Sequence, residues 1–296
     1  MKLIFGLIIF PVLLFSQNKI IGYFDNDDLK DYILKEKVTG DKITFSIFIN
    51  NGKTYTKKLS FDVLNDDFSD IENPLDNLFI TNPTKGEIAI GASCCGNFKS
   101  TEISYFKYYL SIKNWVLYKN SDSIVESDFL PTIEVNYLDF SYTIDDKKLN
   151  NNSIKSKELN DLKVKKENLF TSLFDKYKKA NDSKTSNKIK GSLNFDELAE
   201  IIALIPMDNK NINKYNDLAY YVGQCKDGKT SSIFLLKEII KKEPSRIVAY
   251  LNLGDAKWDF EQKEDAKESY NKYISLMKKQ NKDLKKIPQR VYDRIK

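Results

Sequence analysis

The chain has 296 residues, a formal net charge of +5 and no histidine, with 47 Lys and Arg set against 42 Asp and Glu. The missing histidine removes the usual general base, the usual zinc ligand and every catalytic triad that depends on imidazole. Lysines and acidic residues are interleaved, which is typical of a solvated surface and does not indicate a nucleic-acid partner. The sequence also lacks a glycine-rich phosphate loop and a nucleophile elbow, so we expect no enzymatic activity.

The first residues have the order of a signal peptide. Lys2 precedes an apolar run from Leu3 to Phe15, and the small residue Ser16 then offers a cleavage point. The run is too short to anchor a helix stably in a bilayer, and no later segment reaches the apolar length that a membrane span needs. We therefore expect residues 1–17 to be removed and the product to be periplasmic or secreted. The alternative is a buried strand or helix at the N-terminus.

Residues 18–143 are predicted to form an antiparallel β domain, either a sandwich or a curved sheet. Short segments rich in Ile, Phe, Tyr and Thr alternate apolar with polar side chains between turn residues, which is typical of half-buried strands. They lie at 20–24, 32–38, 43–50, 54–61, 78–81, 87–92, 103–112, 115–119 and 132–137. Asn51-Gly52 is the clearest hairpin turn, because both residues accept a positive φ. Most aromatic side chains here are expected in the core; an aromatic binding patch is the alternative.

An aspartate-rich segment near the start of the β domain is a candidate ion site. It reads Phe-Asp-Asn-Asp-Asp-Leu-Lys-Asp-Tyr-Ile and resembles the short calcium loop that precedes a strand in FG-GAP-like exported proteins. The resemblance implies that Asp25, Asp27 and Asp31 occupy the third, fifth and ninth ligand positions around a calcium ion. Tyr23 and Asp28 stand where that pattern has an aspartate and a glycine. The alternative is a solvated turn in which aspartate side chains bond the nearby backbone.

Cys94 and Cys95 are adjacent in the sequence, and Cys225 makes the number of cysteines odd. In an oxidising compartment the neighbouring thiols can close a strained vicinal bridge, pair separately or remain free. We predict a vicinal bridge that shapes the loop between two strands. A redox role is the alternative, because strain makes such a bond reducible. Cys225 is expected to be a small buried hydrophobe between helices.

Residues 150–192 are predicted to contain an amphipathic helix and a linker. From 155 to 180 the Leu, Phe and Tyr residues lie largely on one stripe, which indicates a helix that packs on the sheet or on the helices that follow. Residues 181–188 have no apolar side chain and are typical of a flexible linker or a loop tip. We expect proteolysis there to release two independent fragments. The alternative is that the helix at 155–180 docks across both domains, so that the nicked halves stay associated. A helix at 195–205, ended by Pro206, then begins the helical domain.

The segment 249–258, Ala-Tyr-Leu-Asn-Leu-Gly-Asp-Ala-Lys-Trp, is followed at helical spacing by Ala266, Tyr270 and Tyr273. This pattern resembles a tetratricopeptide repeat. The resemblance implies that Gly254 lets two helices cross closely, that Ala266 accepts the first helix on the second, and that Tyr270 fills the groove between repeats.

Residues 193–296 are thus predicted to be a helical repeat domain, and the whole chain an α+β protein. The expected parts are a degenerate first repeat, a second repeat and a terminal helix that covers the exposed apolar face of the stack, at 214–243, 244–278 and 287–295. In the first repeat Tyr220 and Ser232 stand where a glycine and an alanine are expected. The alternative is an ordinary helical hairpin of unrelated origin.

A helical repeat presents a binding surface, so the resemblance implies an exported, non-enzymatic interaction protein. Its repeats are expected to turn one face toward a protein or peptide partner, made of Asp217, Tyr221, Val248, Leu251, Asp255, Trp258 and Asp259. A tryptophan beside carboxylates suits an extended, partly basic segment. The alternative is that Trp258 packs between helices. A second hypothesis places a calcium-dependent or carboxylate-based site in the β domain, with the repeats as a docking arm.

Overall fold

The computed structural model describes residues 19–68, 71–94, 99–125, 130–138, 141–149 and 152–296. The signal peptide predicted at 1–17 lies outside these ranges. Within them, no helix combines the length and the apolar character that a bilayer crossing requires.

The first sheet is an antiparallel meander of four strands in the order β1-β2-β3-β4. The strands are β1 (Lys19–Gly22), β2 (Asp31–Thr39), β3 (Lys42–Asn50) and β4 (Tyr55–Leu64). Ile33 is paired with Ile47, and Phe45 with Phe61, whose ring centroids are 5.5 Å apart. These side chains are buried because alternate residues of a strand point to the same face.

The second sheet has five antiparallel strands in the order β5-β6-β7-β8-β9. They are β5 (Leu78–Thr81), β6 (Glu87–Ser93), β7 (Lys99–Tyr109), β8 (Asn114–Val125) and β9 (Pro131–Tyr137). Strand β8 is longer than predicted. Its polar stretch from Asn120 to Ser123 has the composition of a turn but remains extended, because β9 pairs with it from Lys119 to Val125. The predicted antiparallel β region before the helices is confirmed.

In the part of the chain that the structure describes, seven α-helices follow the strands. They are α1 (Asn152–Asp182), α2 (Phe195–Leu204), α3 (Ile212–Gly223), α4 (Lys229–Lys242), α5 (Ile247–Asp259), α6 (Lys263–Lys279) and α7 (Gln289–Ile295). Each helix from α3 to α6 packs against the next one in the chain, and α3 also contacts α5. The α+β prediction is therefore confirmed, and the helical part contains two consecutive helical hairpins, α3–α4 and α5–α6.

Tertiary contacts divide the chain into two compact units. The first unit holds the described residues up to Ala92, with Ser104–Leu117 and Tyr142–Leu149. Its core includes Trp115, which is fully buried and whose indole N–H donates a hydrogen bond to the carbonyl of Phe24 at 2.5 Å. A buried indole needs such a partner, because an unpaired donor in the core would destabilise the fold.

The second unit holds the described residues of Ser93–Ile103 and Tyr118–Ser141 together with all the helices. Ile133 and Val135 of β9 share an apolar core with α2, α3, α4 and α5. Helix α1 joins the same core, because Phe170 stacks on Tyr215 of α3 with centroids 4.4 Å apart. The predicted amphipathic helix therefore packs on other helices of its own unit.

The two helices of the second hairpin cross closely at Gly254. A Cβ atom at this position would lie 2.5 Å from the ring of Tyr270, so no larger residue fits without movement. Ala266 and Tyr270 are fully buried, as their predicted packing roles require. In the first hairpin the close contact is made elsewhere, by Gly223 against Ser232, while Tyr220 is partly exposed.

The segment after α1 contains hydrogen-bonded turns. The amide of Thr185 donates to the carbonyl of Ala180 at 2.8 Å, which closes the end of α1. Further on, Lys226 donates to Ile189 at 3.0 Å and Gly191 donates to Lys226 at 2.7 Å. The short polar side chains of this segment also pair with the backbone, since the Ser183 hydroxyl donates to the carbonyl of Lys179 at 2.8 Å.

Candidate functional site

The carboxylate of Asp255 is the centre of a polar cluster in the second unit. Its Oδ1 accepts hydrogen bonds from the Tyr270 hydroxyl at 2.8 Å, Arg290 Nε at 3.0 Å and Arg294 Nη1 at 2.9 Å. Its Oδ2 accepts from Arg290 Nη2 at 2.7 Å. Arg290 therefore binds Asp255 through two parallel hydrogen bonds, which is the strongest and most directional geometry for this pair of groups.

The elements that build this cluster follow from the local sequence. Asp255 and Tyr270 face each other because Gly254 lets α5 and α6 approach closely. Arg290 and Arg294 lie on one side of α7, since residues four apart in a helix are neighbours on its surface. Val291, which is fully buried, fixes that side against the hairpin.

Arg294 lies between two aromatic rings and two carboxylates. Its guanidinium carbon is 5.1 Å from the ring centroid of Trp258 and 6.0 Å from that of Tyr270. Its Nη2 is 3.9 Å from Asp259 Oδ1, and its Nη1 also donates to the Tyr270 hydroxyl at 2.6 Å. A guanidinium held over a tryptophan face gains cation–π attraction in addition to its ion pair.

The cluster is partly shielded from water. The side chains of Asp255, Arg290 and Arg294 are 28%, 46% and 22% exposed, respectively. The hydrogen bonds to Asp255 raise the pKa of Arg290 above its usual value. Burial raises the pKa of Tyr270, so this hydroxyl stays protonated and remains a donor. Arg290 therefore stays charged and the Tyr270 hydroxyl stays neutral across the physiological pH range.

The predicted partner-binding residues are only partly brought together. Asp255, Trp258 and Asp259 form one group, and Leu251 packs in the apolar cluster beneath it. Asp259 also pairs with Lys229 at 2.7 Å. The carboxylates of Asp255 and Asp259 thus pair with basic side chains of the same chain. Helix α7 supplies the kind of basic ligand that the sequence predicts for this face.

The remaining predicted residues lie apart from this group. Tyr221 of α3 contacts the ring of Phe174 in α1 edge to face, with centroids 5.9 Å apart. Asp217, which is also on α3, is exposed. Val248 is exposed at the start of α5. It lines a groove of about 640 Å³ with Glu243, Ser245, Arg246, Ile247, Leu276, Lys279 and Gln280.

Trp258 is half-buried and packs against the apolar cluster of α5, α6 and α7. It therefore both packs between helices and contributes its ring face to Arg294. The sequence reasoning missed Arg290, Arg294 and the Tyr270 hydroxyl as site groups. Two arginines four residues apart in the predicted terminal helix, in a chain whose other basic residues are nearly all lysine, are the signal that indicates them.

In the aspartate-rich loop the carboxylates bond the backbone. Asp31 is buried, and its Oδ2 accepts from the amides of Phe24 at 3.0 Å and Asp25 at 3.3 Å, while its Oδ1 accepts from Asn50 at 2.9 Å. Asp25 accepts from the amide of Asp27 at 2.9 Å, as in an Asx turn. Burial raises the pKa values of both Asp25 and Asp31. Among the described residues no group of three His, Cys, Asp or Glu side chains is placed to hold a metal ion.

The vicinal bridge predicted between Cys94 and Cys95 involves a residue outside the described ranges, because Cys95 is not among them. Cys225 is buried between helices, as predicted, and its thiol lies 3.4 Å from the carbonyl of Tyr221. Burial raises the pKa of this thiol, which keeps it protonated and unreactive.

A second polar cluster joins a strand and two helices. Glu200 of α2 binds Lys119 of β8 through one carboxylate oxygen and Lys166 of α1 through the other, the latter at 2.6 Å. Burial alone would raise the pKa of Glu200, but the two ammonium groups hold it below its usual value. Because all three side chains are largely buried and mutually paired, we interpret this cluster as structural.

No protein-family model matches the chain, and a search of curated proteins also finds no match. Functional inference therefore depends on the geometry of the chain itself. The Asp255 cluster is suited to bind guanidinium groups. Asp255 offers a carboxylate that accepts two parallel hydrogen bonds, Tyr270 offers a hydroxyl, and Trp258 and Tyr270 offer ring faces.

Proposed function

We propose that the protein is an exported, non-enzymatic interaction protein whose helical hairpins, of tetratricopeptide type, bind a protein or peptide partner. The observation that carries the proposal is that the Asp255 face binds a basic helix, which in this structure is the chain's own α7. A surface that recognises one arginine-bearing helix has the chemistry to recognise another.

The packing of the hairpins supports the repeat assignment. The close crossing at Gly254 and the buried positions of Ala266 and Tyr270 match the roles that the repeat pattern gives those residues. Consecutive hairpins that contact mainly their neighbours are also typical of repeat proteins, whose stacked helices create extended binding surfaces.

The composition of the face supports a binding role. Tryptophan, tyrosine and arginine are the residues that contribute most to binding energy at protein interfaces, especially where surrounding groups exclude water. Trp258 and Tyr270 supply the rings here, and Asp255 supplies the charge. Asp217 and Tyr221 on α3 would contact a more distant part of the same partner.

Export is the part of the proposal that depends on the sequence alone. The order of Lys2, the apolar run to Phe15 and Ser16 is typical of a cleaved signal peptide. The proposed partner is therefore a periplasmic or extracellular protein.

The proposal is tested by affinity capture with the full chain. Wild type and the Asp255→Ala/Trp258→Ala variant are immobilised and exposed to an extract of exported proteins from the source cells. The matched control is Phe260→Ala/Glu261→Ala, which removes an exposed aromatic residue and an acid just beyond the end of α5. We expect the control to retain the wild-type partners and the Asp255/Trp258 variant to lose them. The same partner list for all three proteins, with folding intact, would exclude this face.

A further inference from the structure

We propose that α7 is an exchangeable occupant of the Asp255 site, and that the partner presents a helix with two arginines four residues apart that replaces it. This inference rests on the proposed function, because it names the partner chemistry for the same site.

The contacts of α7 define the ligand. Arg290 and Arg294 both bind Asp255, and each is followed by an aliphatic residue that faces the hairpin, Val291 and Ile295. The recognised pattern is therefore Arg-aliphatic-x-x-Arg-aliphatic on one side of a helix. A partner helix with this pattern would reproduce both ion pairs and both apolar contacts.

Apart from these arginines, α7 is held by the apolar contacts of Val291 and Ile295 and of Ile287 just before it. It is 7 residues long, and Val291 is its only fully buried residue. Helices this short are marginal in water without tertiary contacts. Tyr292 and Asp293 on its outer side are exposed. Elements with so few buried contacts belong to the least stable part of a fold and open locally without global unfolding.

The connection to the rest of the chain permits release. Helix α6 ends at Lys279, and the following residues include only a short 3-10 turn, Leu284–Lys286, before α7 begins. The α6 end is closed by its own hydrogen bonds, with Gln280 donating to Leu276 at 2.9 Å and Lys282 donating to Met277 at 2.9 Å. The departure of α7 would therefore leave α6 capped.

The site is also preformed without α7. Asp255 and Trp258 are on α5, Tyr270 is on α6, and the two helices are locked together by the contact of Gly254 with the Tyr270 ring. The Tyr270 hydroxyl continues to hold Asp255 in place. A purely structural cap would need the apolar contacts of Ile287 and Val291, but it would not need two guanidinium groups converging on one carboxylate.

The experiment uses the full-length protein and a fluorescein-labelled peptide with the sequence of residues 283–296, followed by fluorescence anisotropy. In wild type the tethered α7 competes at a high effective concentration, so the peptide binds weakly. The Arg290→Ala/Arg294→Ala variant weakens this competitor, and we expect it to bind the peptide at least about tenfold more tightly than wild type. Adding Asp255→Asn should abolish the gain.

Two controls make the result specific. Lys285→Ala/Lys286→Ala removes the same charge from the tether outside the site and should leave peptide affinity at the wild-type level. A peptide in which both arginines are replaced by glutamine should not compete with the labelled one. If Arg290→Ala/Arg294→Ala reduces folding as judged by circular dichroism, Arg290→Lys/Arg294→Lys keeps the charge while losing the bidentate bond, and it should show a smaller gain.

No gain in either arginine variant, or a gain that survives Asp255→Asn, would overturn the inference. Its failure is distinguishable from failure of the proposed function. If the affinity capture shows partners that depend on Asp255 and Trp258 but the peptide does not bind, the site has a partner of different chemistry. If the peptide binds as expected and no partner depends on Asp255 and Trp258, the result supports the displacement of α7 and contradicts the proposed function.

Discussion

Arg290 of α7 donates two hydrogen bonds to the carboxylate of Asp255 in α5, at 3.0 Å from Nε and 2.7 Å from Nη2. The two residues are 35 positions apart in the sequence. Through this pair a segment of the same chain covers the part of the predicted face that contains Asp255 and Trp258. The site can therefore be studied in the isolated protein before any partner is known.

Replacing Asp255 by asparagine should release α7. The variant keeps an acceptor for Tyr270 but loses the charge that binds Arg290 and Arg294, and because these groups are partly exposed we expect a loss of about 1–2 kcal/mol in unfolding free energy. Urea denaturation measures this loss. The matched control is Asp293→Asn, an exposed acid of α7 that accepts a hydrogen bond from Gln289 and lies 3.9 Å from the Lys296 ammonium at the surface; this change should have little effect. An Asp255→Asn variant as stable as Asp293→Asn would contradict the prediction.

Replacing Gly254 by alanine should destabilise the second hairpin. The new methyl group would meet the Tyr270 ring at 2.5 Å, and overpacking of this kind costs about 1–3 kcal/mol. Thermal denaturation measures the change. In a Tyr270→Ala background the ring is absent, so the same substitution should cost much less, and the two effects should be strongly non-additive. Equal costs in both backgrounds would show that the ring is not the obstacle.

The crossing of α5 and α6 at Gly254 and the ion pair of Asp255 with Arg290 differ in how far the sequence predicts them. Gly254, Ala266 and Tyr270 are recognisable because helix crossings constrain residue size at a fixed spacing. The strands are recognisable for a similar reason, since alternation and turn residues are local signals. The pairing of Arg290 with Asp255 is not local, because a charge indicates that a partner exists without indicating which one. The sharing of a core between β9 and α2 is also invisible in the sequence.

For cleavage in the segment after α1, the structure leads to a different expectation from the sequence. A run without apolar residues at 181–188 predicts a flexible linker and separable fragments, whereas the structure places α1 in the helical core through Phe170 and Tyr177. We therefore expect a protein nicked in this segment to remain associated. Size-exclusion chromatography under native conditions should give one peak that contains both fragments, and denaturing electrophoresis should resolve them. Two separate peaks would support the sequence-based expectation instead.

Glu238 of α4 should make stability depend on pH. Burial raises its pKa and nearby Glu134 acts in the same direction, while Lys241 and Lys237 oppose them. A carboxyl group whose pKa is raised on folding contributes stability that is present below its unfolded pKa and is lost as pH rises through its folded pKa. Relative to Glu238→Gln, wild type should therefore lose melting temperature from acidic to neutral pH. Glu264→Gln, at an exposed position, is the control, and an identical pH profile for wild type and Glu238→Gln would contradict the prediction.

Asp31 should be more important than Asp27 for the stability of the first unit. Removing its carboxylate takes away the acceptor of the amides of Phe24, Asp25 and Asn50, and leaving the buried Phe24 amide unsatisfied costs about 1–3 kcal/mol. We expect Asp31→Ala to lower the melting temperature clearly and Asp27→Ala to lower it little, because Asp27 is exposed. Both effects should be the same in excess calcium and in chelator. Equal destabilisation by the two variants, with calcium stabilising only wild type, would instead indicate an ion site.

The displacement of α7 by another arginine-bearing helix is tested most directly by hydrogen–deuterium exchange. The wild-type full chain is measured with and without a saturating amount of the 283–296 peptide. The peptide is labelled with ¹⁵N so that its fragments are distinguished from those of the chain. If the Asp255 face is a binding site for an arginine-bearing helix, exchange should increase across Gln289–Ile295 as the tethered helix is displaced, while Ile247–Asp259 remains protected. Unchanged exchange across Gln289–Ile295 at saturation would show that α7 is a permanent part of the fold and would contradict the claim.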